Sequence, residues 1–369
     1  MRLVRVQAGG GAYDVRIEVG GLARVGEAAE AVLGGRRLFV VADETVWTSL
    51  GSRVRPGLDG RDWTLLSTPL GEPRKRLETV ESLCSAMHAA EADRRSAVVA
   101  LGGGVAGDVA GFVAASYMRG IDVIQVPTTL LAQVDASVGG KTGVNLASGK
   151  NLVGAFHQPR LVLIDPQSLD TLPDREYRAG LQEVIKHGII RSESLFEFME
   201  RSRRSVMERD QAAVERMIED SVRIKAAVVE EDEREGGLRR ILNFGHTLGH
   251  ALEAETGYRV LLHGEAVAFG MVAAARLSEL RGRLARPDRE RVERLVLDYA
   301  EFPAVERLDA GRVAARIGGD KKSVGGRARF VLADGIGRVS EELDPPLRDV
   351  VEATEHAIRV CVPRSMAAV

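Results

Sequence analysis

Four short apolar runs, each stopped by residues that a strand interior would not choose, constrain this chain more than any other feature. They are Arg37-Leu-Phe-Val-Val-Ala42 before Asp43, Ser96-Ala-Val-Val-Ala-Leu101 before Gly102-Gly103-Gly104, Ile121-Asp-Val-Ile-Gln-Val126 before Pro127-Thr128-Thr129, and Leu161-Val-Leu-Ile164 before Asp165-Pro166. A strand apolar at consecutive positions is buried on both faces, as in a parallel sheet flanked by helices. The spacing predicts helices between these runs, and so a doubly wound, Rossmann-like α/β fold. In that architecture ligands bind where the strands end, among the polar residues that stop them.

From about Pro173 the apolar spacing changes to threes and fours, as in Val214, Ile218 and Val222, which predicts helices. One small hairpin is expected within 328–339, turning at Asp334-Gly335. The expected organisation is an α/β domain over 1–170 and a mainly helical domain over 171–369. Period-two alternation around Gly9-Gly10-Gly11 predicts an N-terminal β-hairpin and does not suit a signal peptide.

A net charge of −2 offers no electrostatic case for nucleic acid or an anionic membrane surface. No apolar run reaches the roughly 18 residues of a membrane-spanning helix. Cys84 and Cys361 stand far apart and outside any ligand spacing, which suits a reduced, cytoplasmic compartment. Of 51 basic residues only seven are lysine, namely Lys75, Lys141, Lys150, Lys186, Lys225, Lys321 and Lys322. Where arginine has replaced lysine so widely, the survivors should mark positions that need a compact ammonium.

Gly102-Gly103-Gly104-Val-Ala-Gly107-Asp108 follows a strand, opens a helical pattern and contains G-x-G-x-x-G. Its amides at a helix N-terminus suit a pyrophosphate. The acidic residue of an ordinary dinucleotide fingerprint is missing downstream; Asp43 and Glu44, ending an earlier strand, are better placed for ribose hydroxyls. Gly71-Glu72-Pro-Arg-Lys75 offers further nucleotide contacts. The stretch from Asp135 through Lys141 and Asn145 to Lys150-Asn151 is dense in glycine, ammonium and hydroxyl groups and reads as a phosphate-wrapping loop, although it fails the Walker A pattern.

Three histidines gather in the second half, in Arg239-Arg-Ile-Leu-Asn243-Phe-Gly-His246-Thr-Leu-Gly-His250-Ala-Leu-Glu253 and Leu-His263-Gly-Glu265. His246 and His250 share a helix face, which with His263 nearby is the donor supply of a divalent metal site. On another predicted helix Glu183 shares a face with Lys186 and His187; in isolation Glu183 and Lys186 would be a surface ion pair. Lys225 and Glu235 flank an acidic run that by composition is a solvated face.

Taken together and in order, Gly-Gly-Gly-Val-Ala-Gly-Asp108, Pro-Thr-Thr-Leu-Leu-Ala-Gln-Val-Asp135-Ala-Ser-Val-Gly-Gly-Lys141, Glu183-Val-Ile-Lys186, Asn243-Phe-Gly-His-Thr-Leu-Gly-His250 and Leu-His263-Gly-Glu265 resemble the 3-dehydroquinate synthase family of sugar phosphate cyclases. The resemblance implies an NAD-binding α/β domain followed by a helical metal domain. It implies zinc or cobalt on Glu183, His246 and His263, leaving His250 to the substrate. It implies NAD contacts from Asp43, Glu72, Lys75, Gly103, Gly104, Asp108, Thr128, Thr129, Lys141, Lys150 and Thr171. Catalytic roles would fall to Asp135, Lys141, Lys186, Glu235 and His250, and substrate contacts to Arg119, Asn151, Lys225, Arg239, Asn243, Lys321 and Lys322. Arg119 would reach a partner subunit's ligand, implying a homodimer. The implied enzyme is a carbon–oxygen lyase that converts 3-deoxy-D-arabino-heptulosonate 7-phosphate to 3-dehydroquinate and phosphate, by transient oxidation, β-elimination, reduction and aldol closure. The alternatives are a related cyclase making an amino-dehydroquinate, valiolone or inosose product, or a polyol dehydrogenase on the same fold.

Overall fold

Each of the four apolar runs becomes a strand of one sheet, because each can bury both of its faces. The structure is a computed structural model that describes residues 1–9, 11–305, 308–317 and 328–362. Strands β1 (Arg2–Ala8) and β2 (Gly11–Ile17) form the expected antiparallel hairpin, and α1 (Val25–Leu33) follows. Then come β3 (Leu38–Asp43), α2 (Glu44–Leu58), β4 (Trp63–Thr68), α3 (Leu77–Ala89), β5 (Ala97–Gly102), α4 (Gly104–Ser116) and β6 (Asp122–Pro127). A separate hairpin, β7 (Lys141–Leu146) and β8 (Gly149–Phe156), precedes β9 (Leu161–Ile164). The sheet order is β1-β2-β9-β6-β5-β3-β4, parallel throughout except for the β1–β2 pair.

Alternate residues of each central strand serve opposite cores. Val40, Ala42, Val99 and Leu101 pack with Val25, Val54 and Leu58 of α1 and α2. Phe39, Val41, Val98 and Ala100 pack with Val80, Leu83, Val109 and Val113 of α3 and α4. Burying one such side chain contributes about 1.5–3 kcal/mol, so a polar residue within these strands would forfeit more than a surface contact returns. In β3 and β5 polar groups are therefore confined to the strand ends, and the one polar residue inside β6, Gln125, is buried with its Nε2 donating to Gly107 O at 3.1 Å. After β3 the chain moves outward to β4, and after β5 it moves the opposite way to β6. That divergence makes a crevice at the carboxyl ends of β3 and β5.

The chain continues through α5 (Asp174–Arg191), α6 (Glu193–Arg201) and α7 (Arg203–Met207) to α8 (Gln211–Glu231), which lies against β1. It ends in α9 (His246–Glu255), α10 (His263–Leu280), α11 (Arg286–Tyr299), α12 (Ala310–Ile317), the hairpin β10 (Arg329–Gly335) and β11 (Arg338–Leu343), and α13 (Leu347–Cys361). No helix among the described residues is long and apolar enough to cross a membrane.

Two compact units result: Met1–Pro173 with Gln211–Arg234, and Asp174–Asp210 with Glu235–Val369. The expectation drew one boundary, near residue 170; the chain crosses back at 211 and leaves again at 235. The physical reason is α8. Its apolar side, including Val214, Ile218 and Val222, is buried, and Arg2 at the start of β1 pairs with Glu215 and Glu219. Two further expectations change. The stretch expected as a phosphate-wrapping loop is largely the β7–β8 hairpin. Lys225, expected on a solvated face, is only 5% exposed.

In the second unit, α10 meets both α5 and α9 through glycine. A Cβ on Gly264 would lie 2.0 Å from the carbonyl oxygen of Ala179, and one on Gly270 would lie 1.8 Å from that of Gly245. Backbones that close need hydrogen in place of a side chain. The same crossings bring together residues of α5, α9 and α10.

Candidate active site

In the first unit the crevice is lined by the residues that stop the strands. Gly102 has φ +153°, and a Cβ there would meet the Cβ of Ala106 at 2.6 Å, with Asp43 next at 3.7 Å. A Cβ on Gly103 would meet Thr129 at 3.0 Å. The cradle is bare backbone where α4 begins, and α4 has no acidic residue in its first turn to compete for an anion. Asp43 caps α2 by accepting from the amides of Thr45 and Val46 at 2.9 and 3.2 Å, and it also accepts from the amide of Leu70 at 2.8 Å. Thr128 is buried with an unpartnered Oγ1, while Thr129 Oγ1 accepts from the Ala132 amide at 3.2 Å. Thr171 is exposed at the end of a turn, donating to Ser168 O.

A second cluster forms beside the crevice. The buried ammonium of Lys75 donates to Asp108 and to Asn151 Oδ1, both at 2.5 Å. Burial raises the carboxyl pKa of Asp108 above its ordinary value despite the opposing charge of Lys75. Asn145 donates to Glu72 at 2.8 Å, and Lys150 stands 4.0 Å from the same carboxylate. Lys225, delivered by α8, pairs with Asp135 at both its carbonyl and its carboxylate. Lys141 and Arg119 are exposed, Arg119 with φ +70°.

In the second unit Glu183 on α5 is fully buried, and its Oε2 pairs with the equally buried Lys186. Its Oε1 has no hydrogen-bond partner, yet it lies 3.9 Å from His246 Nε2 and 3.8 Å from His263 Nε2. Donors on a tetrahedral zinc stand about 3.4 Å apart; the two carboxylate–imidazole separations exceed that by about half an ångström, and all three donor atoms lie within 4.8 Å of one another. His246 Nδ1 faces the carbonyl of Phe244 at 3.2 Å, which turns Nε2 towards Glu183. Burial, then the charges of Lys186, His263 and His250, hold the His246 pKa well below the ordinary histidine value. Burial opposes protonation of His263 too, but Glu253 and Glu183 outweigh it and raise the pKa. Arg239 is buried, and Asn243 donates to Glu235 at 2.8 Å.

Family models described as 3-dehydroquinate synthase N-terminal and C-terminal match residues 65–179 and 180–323. The 3-dehydroquinate synthase of Solibacter usitatus is 52% identical over 324 residues, which cover 87% of this chain and 90% of that protein. The chain belongs to the 3-dehydroquinate synthase family. Among solved structures, the 2-epi-5-epi-valiolone synthase of Streptomyces hygroscopicus subsp. jinggangensis, with NAD+ and Zn2+ bound, superposes with a TM-score of 0.86 at 30% identity, covering 97% of this chain and 99% of that one. A 2-deoxy-scyllo-inosose synthase complexed with carbaglucose-6-phosphate, NAD+ and Co2+ gives 0.86 at 27% identity, covering 96% and 99%.

Within this member of the 3-dehydroquinate synthase family, the three histidine rings converge, with centroids 5.2–5.9 Å apart. Their donor atoms sort into two groups, Glu183 with His246 and His263, and His250 with Glu253 and His263. Helical spacing alone had paired His246 with His250. Glu253 carried no expected role, yet its Oε2 lies 3.8 Å from His263 Nδ1; its place three residues after His250 was the available signal. Asn145 falls within the stretch expected to wrap phosphate, with no separate role expected of it. Lys321 and Lys322 lie outside the described residues.

Proposed function

We propose that this chain converts 3-deoxy-D-arabino-heptulosonate 7-phosphate to 3-dehydroquinate and inorganic phosphate, as a homodimer in the cytoplasm. The observation that carries the reading is the buried, unpartnered Glu183 Oε1 facing two imidazole Nε2 atoms. A buried carboxylate oxygen left so is costly unless a cation completes it. Glu183, His246 and His263 would hold the divalent metal. The glycine cradle at Gly103 and Gly104, with Asp43, Glu72, Lys75, Asp108, Thr128, Thr129, Lys141, Lys150 and Thr171, would hold NAD. When bound, NAD accepts and later returns a hydride while the metal polarises the substrate oxygen undergoing oxidation.

The remaining steps fall to the chain and the substrate. In the second unit, Lys186 Nζ is the donor to the reacting hydroxyl oxygen, with Glu183 fixing its direction. The ketone acidifies C6; its proton passes to the substrate's own phosphate, and the C7–O bond breaks to release that phosphate. The buried guanidinium of Arg239 suits the substrate carboxylate, and the amide of Asn243, set by Glu235, suits the phosphate. His250 is a further phosphate partner. In the first unit, Lys225 suits the carboxylate, Lys141 and Asn151 suit the phosphate, and Asp135 is a further catalytic residue. Arg119, exposed and in a left-handed conformation, is the residue proposed to reach across a dimer.

The likeness to valiolone and inosose synthases makes a related cyclase the second reading. Purified protein with zinc, catalytic NAD+ and the heptulosonate phosphate separates the possibilities. Release of one phosphate per dehydroquinate formed, without NADH accumulating, is expected. Stoichiometric NADH would instead mark a dehydrogenase, and turnover only of a substrate lacking the carboxylate would mark another cyclase.

A further inference from the structure

The β7–β8 hairpin contains a defect that the assigned roles leave unexplained. Pairing runs from Lys141 opposite Phe156 to Val144 opposite Val153, then slips and resumes with Leu146 opposite Gly149. Between those pairs one residue of β7, Asn145, faces three of β8, Lys150-Asn151-Leu152, so β8 carries the excess and Asn145 stands outside the ladder. A bulge of this kind releases a backbone amide and re-aims a side chain. The freed amide of Asn145 donates to the carbonyl oxygen of Lys75 at 2.8 Å. Its Nδ2 donates to Glu72 Oε1, and its Oδ1 accepts from the amide of Asn151, each at 2.8 Å. A carboxylate only accepts and a backbone N–H only donates, so this side-chain orientation is forced.

These three bonds join segments that are distant in sequence. Glu72 and Lys75 lie on the turn after β4, and Asn151 lies beyond the hairpin turn with φ +52°. Asn151 Oδ1 in turn accepts from the Lys75 ammonium, which also holds Asp108 at the start of α4. The hairpin does not need Asn145 for its own closure, since its main-chain pairs flank the bulge and Thr142 Oγ1 donates across it to Ala155 O. At 9% exposure the side chain is buried and spent on neighbours.

Building on the cofactor reading above, we propose that Asn145 is a positioning residue of the NAD site, fixing Glu72, Lys75 and Asn151 in the one arrangement that receives the nucleotide. Without it the Glu72 carboxylate loses its donor, the left-handed Asn151 loses the acceptor for its amide, and the Lys75 ammonium loses a fixed partner.

The test measures NAD+ affinity of the full-length protein by isothermal titration. Asn145→Ala should raise the dissociation constant about tenfold, the effect of losing a hydrogen bond to a charged group, with zinc content unchanged. Thr142→Val, which removes a hairpin bond without touching Asn145, should change it by less than about twofold, since its loss is local. Asn145→Asp places like charges together and should bind weakly. Combining it with Glu72→Gln exchanges donor and acceptor, and this near-isosteric pair should bind more tightly than Asn145→Asp alone, even should the alanine variant fold poorly. Wild-type affinity in Asn145→Ala, a loss matched by Thr142→Val, or strictly additive losses in the double variant would overturn the proposal. A wild-type protein with no affinity for NAD+ would overturn the cofactor reading itself, and this proposal with it.

Discussion

Glu183 shows how burial changes the worth of a familiar pair. On a helix surface, Glu183 with Lys186 at i,i+3 would contribute under about 1 kcal/mol. Here both are buried, and removing one leaves the other charge uncompensated at a cost of about 3–5 kcal/mol. Glu183→Gln should therefore lose both zinc and thermal stability, whereas His250→Ala should keep one equivalent of zinc by elemental analysis. Loss of zinc from His250→Ala would restore the local His246–His250 pairing. The metal should also be pH-sensitive through His263. Because Glu253 and Glu183 raise its pKa, protonation competes with the metal below that raised value. Zinc affinity should be level above it and fall about tenfold per pH unit below it, one proton being released on binding. A titration in buffers of differing ionisation enthalpy reads that proton directly. The histidines were legible because three of seven crowd into one stretch. The place of Glu183 beside two of them was not legible from spacing, since His246 and His263 come from other helices.

Helix crossings explain why those partners meet. Gly264 lets α10 touch α5 at Ala179, one turn before Glu183, and Gly264 adjoins His263. Gly270 meets Gly245, the residue before His246. Gly264→Ala should force α5 and α10 apart, costing about 3 kcal/mol or more as overpacking against backbone. Its zinc content should fall with its melting temperature, whereas a purely local strain would lower the melting temperature and leave zinc in place. Element by element, legibility followed burial. The central strands showed plainly because both faces are apolar. Strand β4 did not, being an edge strand, half-buried along most of its length and polar at Thr64, Ser67 and Thr68. The β7–β8 hairpin was hidden by its glycines and lysines, residues that strands use sparingly. Its bulge opposite Asn145 comes with partners in another turn, which no local pattern announces.

At the scale of the whole molecule, the unexpected feature is that the first unit is built from two stretches of chain. Helical periodicity says which side of α8 is apolar but not which body that side will cover, so the return at Gln211 was not legible. Its consequence is physical: α8 covers β1 and brings Lys225 to Asp135. A fragment of residues 1–173 would leave that face of the sheet bare and should aggregate or bind the dye used for exposed apolar surface. Residues 1–173 joined to 211–234 should behave differently. The two crossing points are close, for Asp174 pairs with Arg209 at 2.7 Å, so a linker of about five residues, spanning roughly 17 Å, can replace the excised segment. The joined fragment should unfold cooperatively and retain NAD+ binding, because the glycine cradle, Asp43 and the Lys75 cluster all lie within it. Cooperative unfolding of the 1–173 fragment with equal NAD+ affinity would show that α8 is a passenger on the first unit and that its burial there does not matter to the fold.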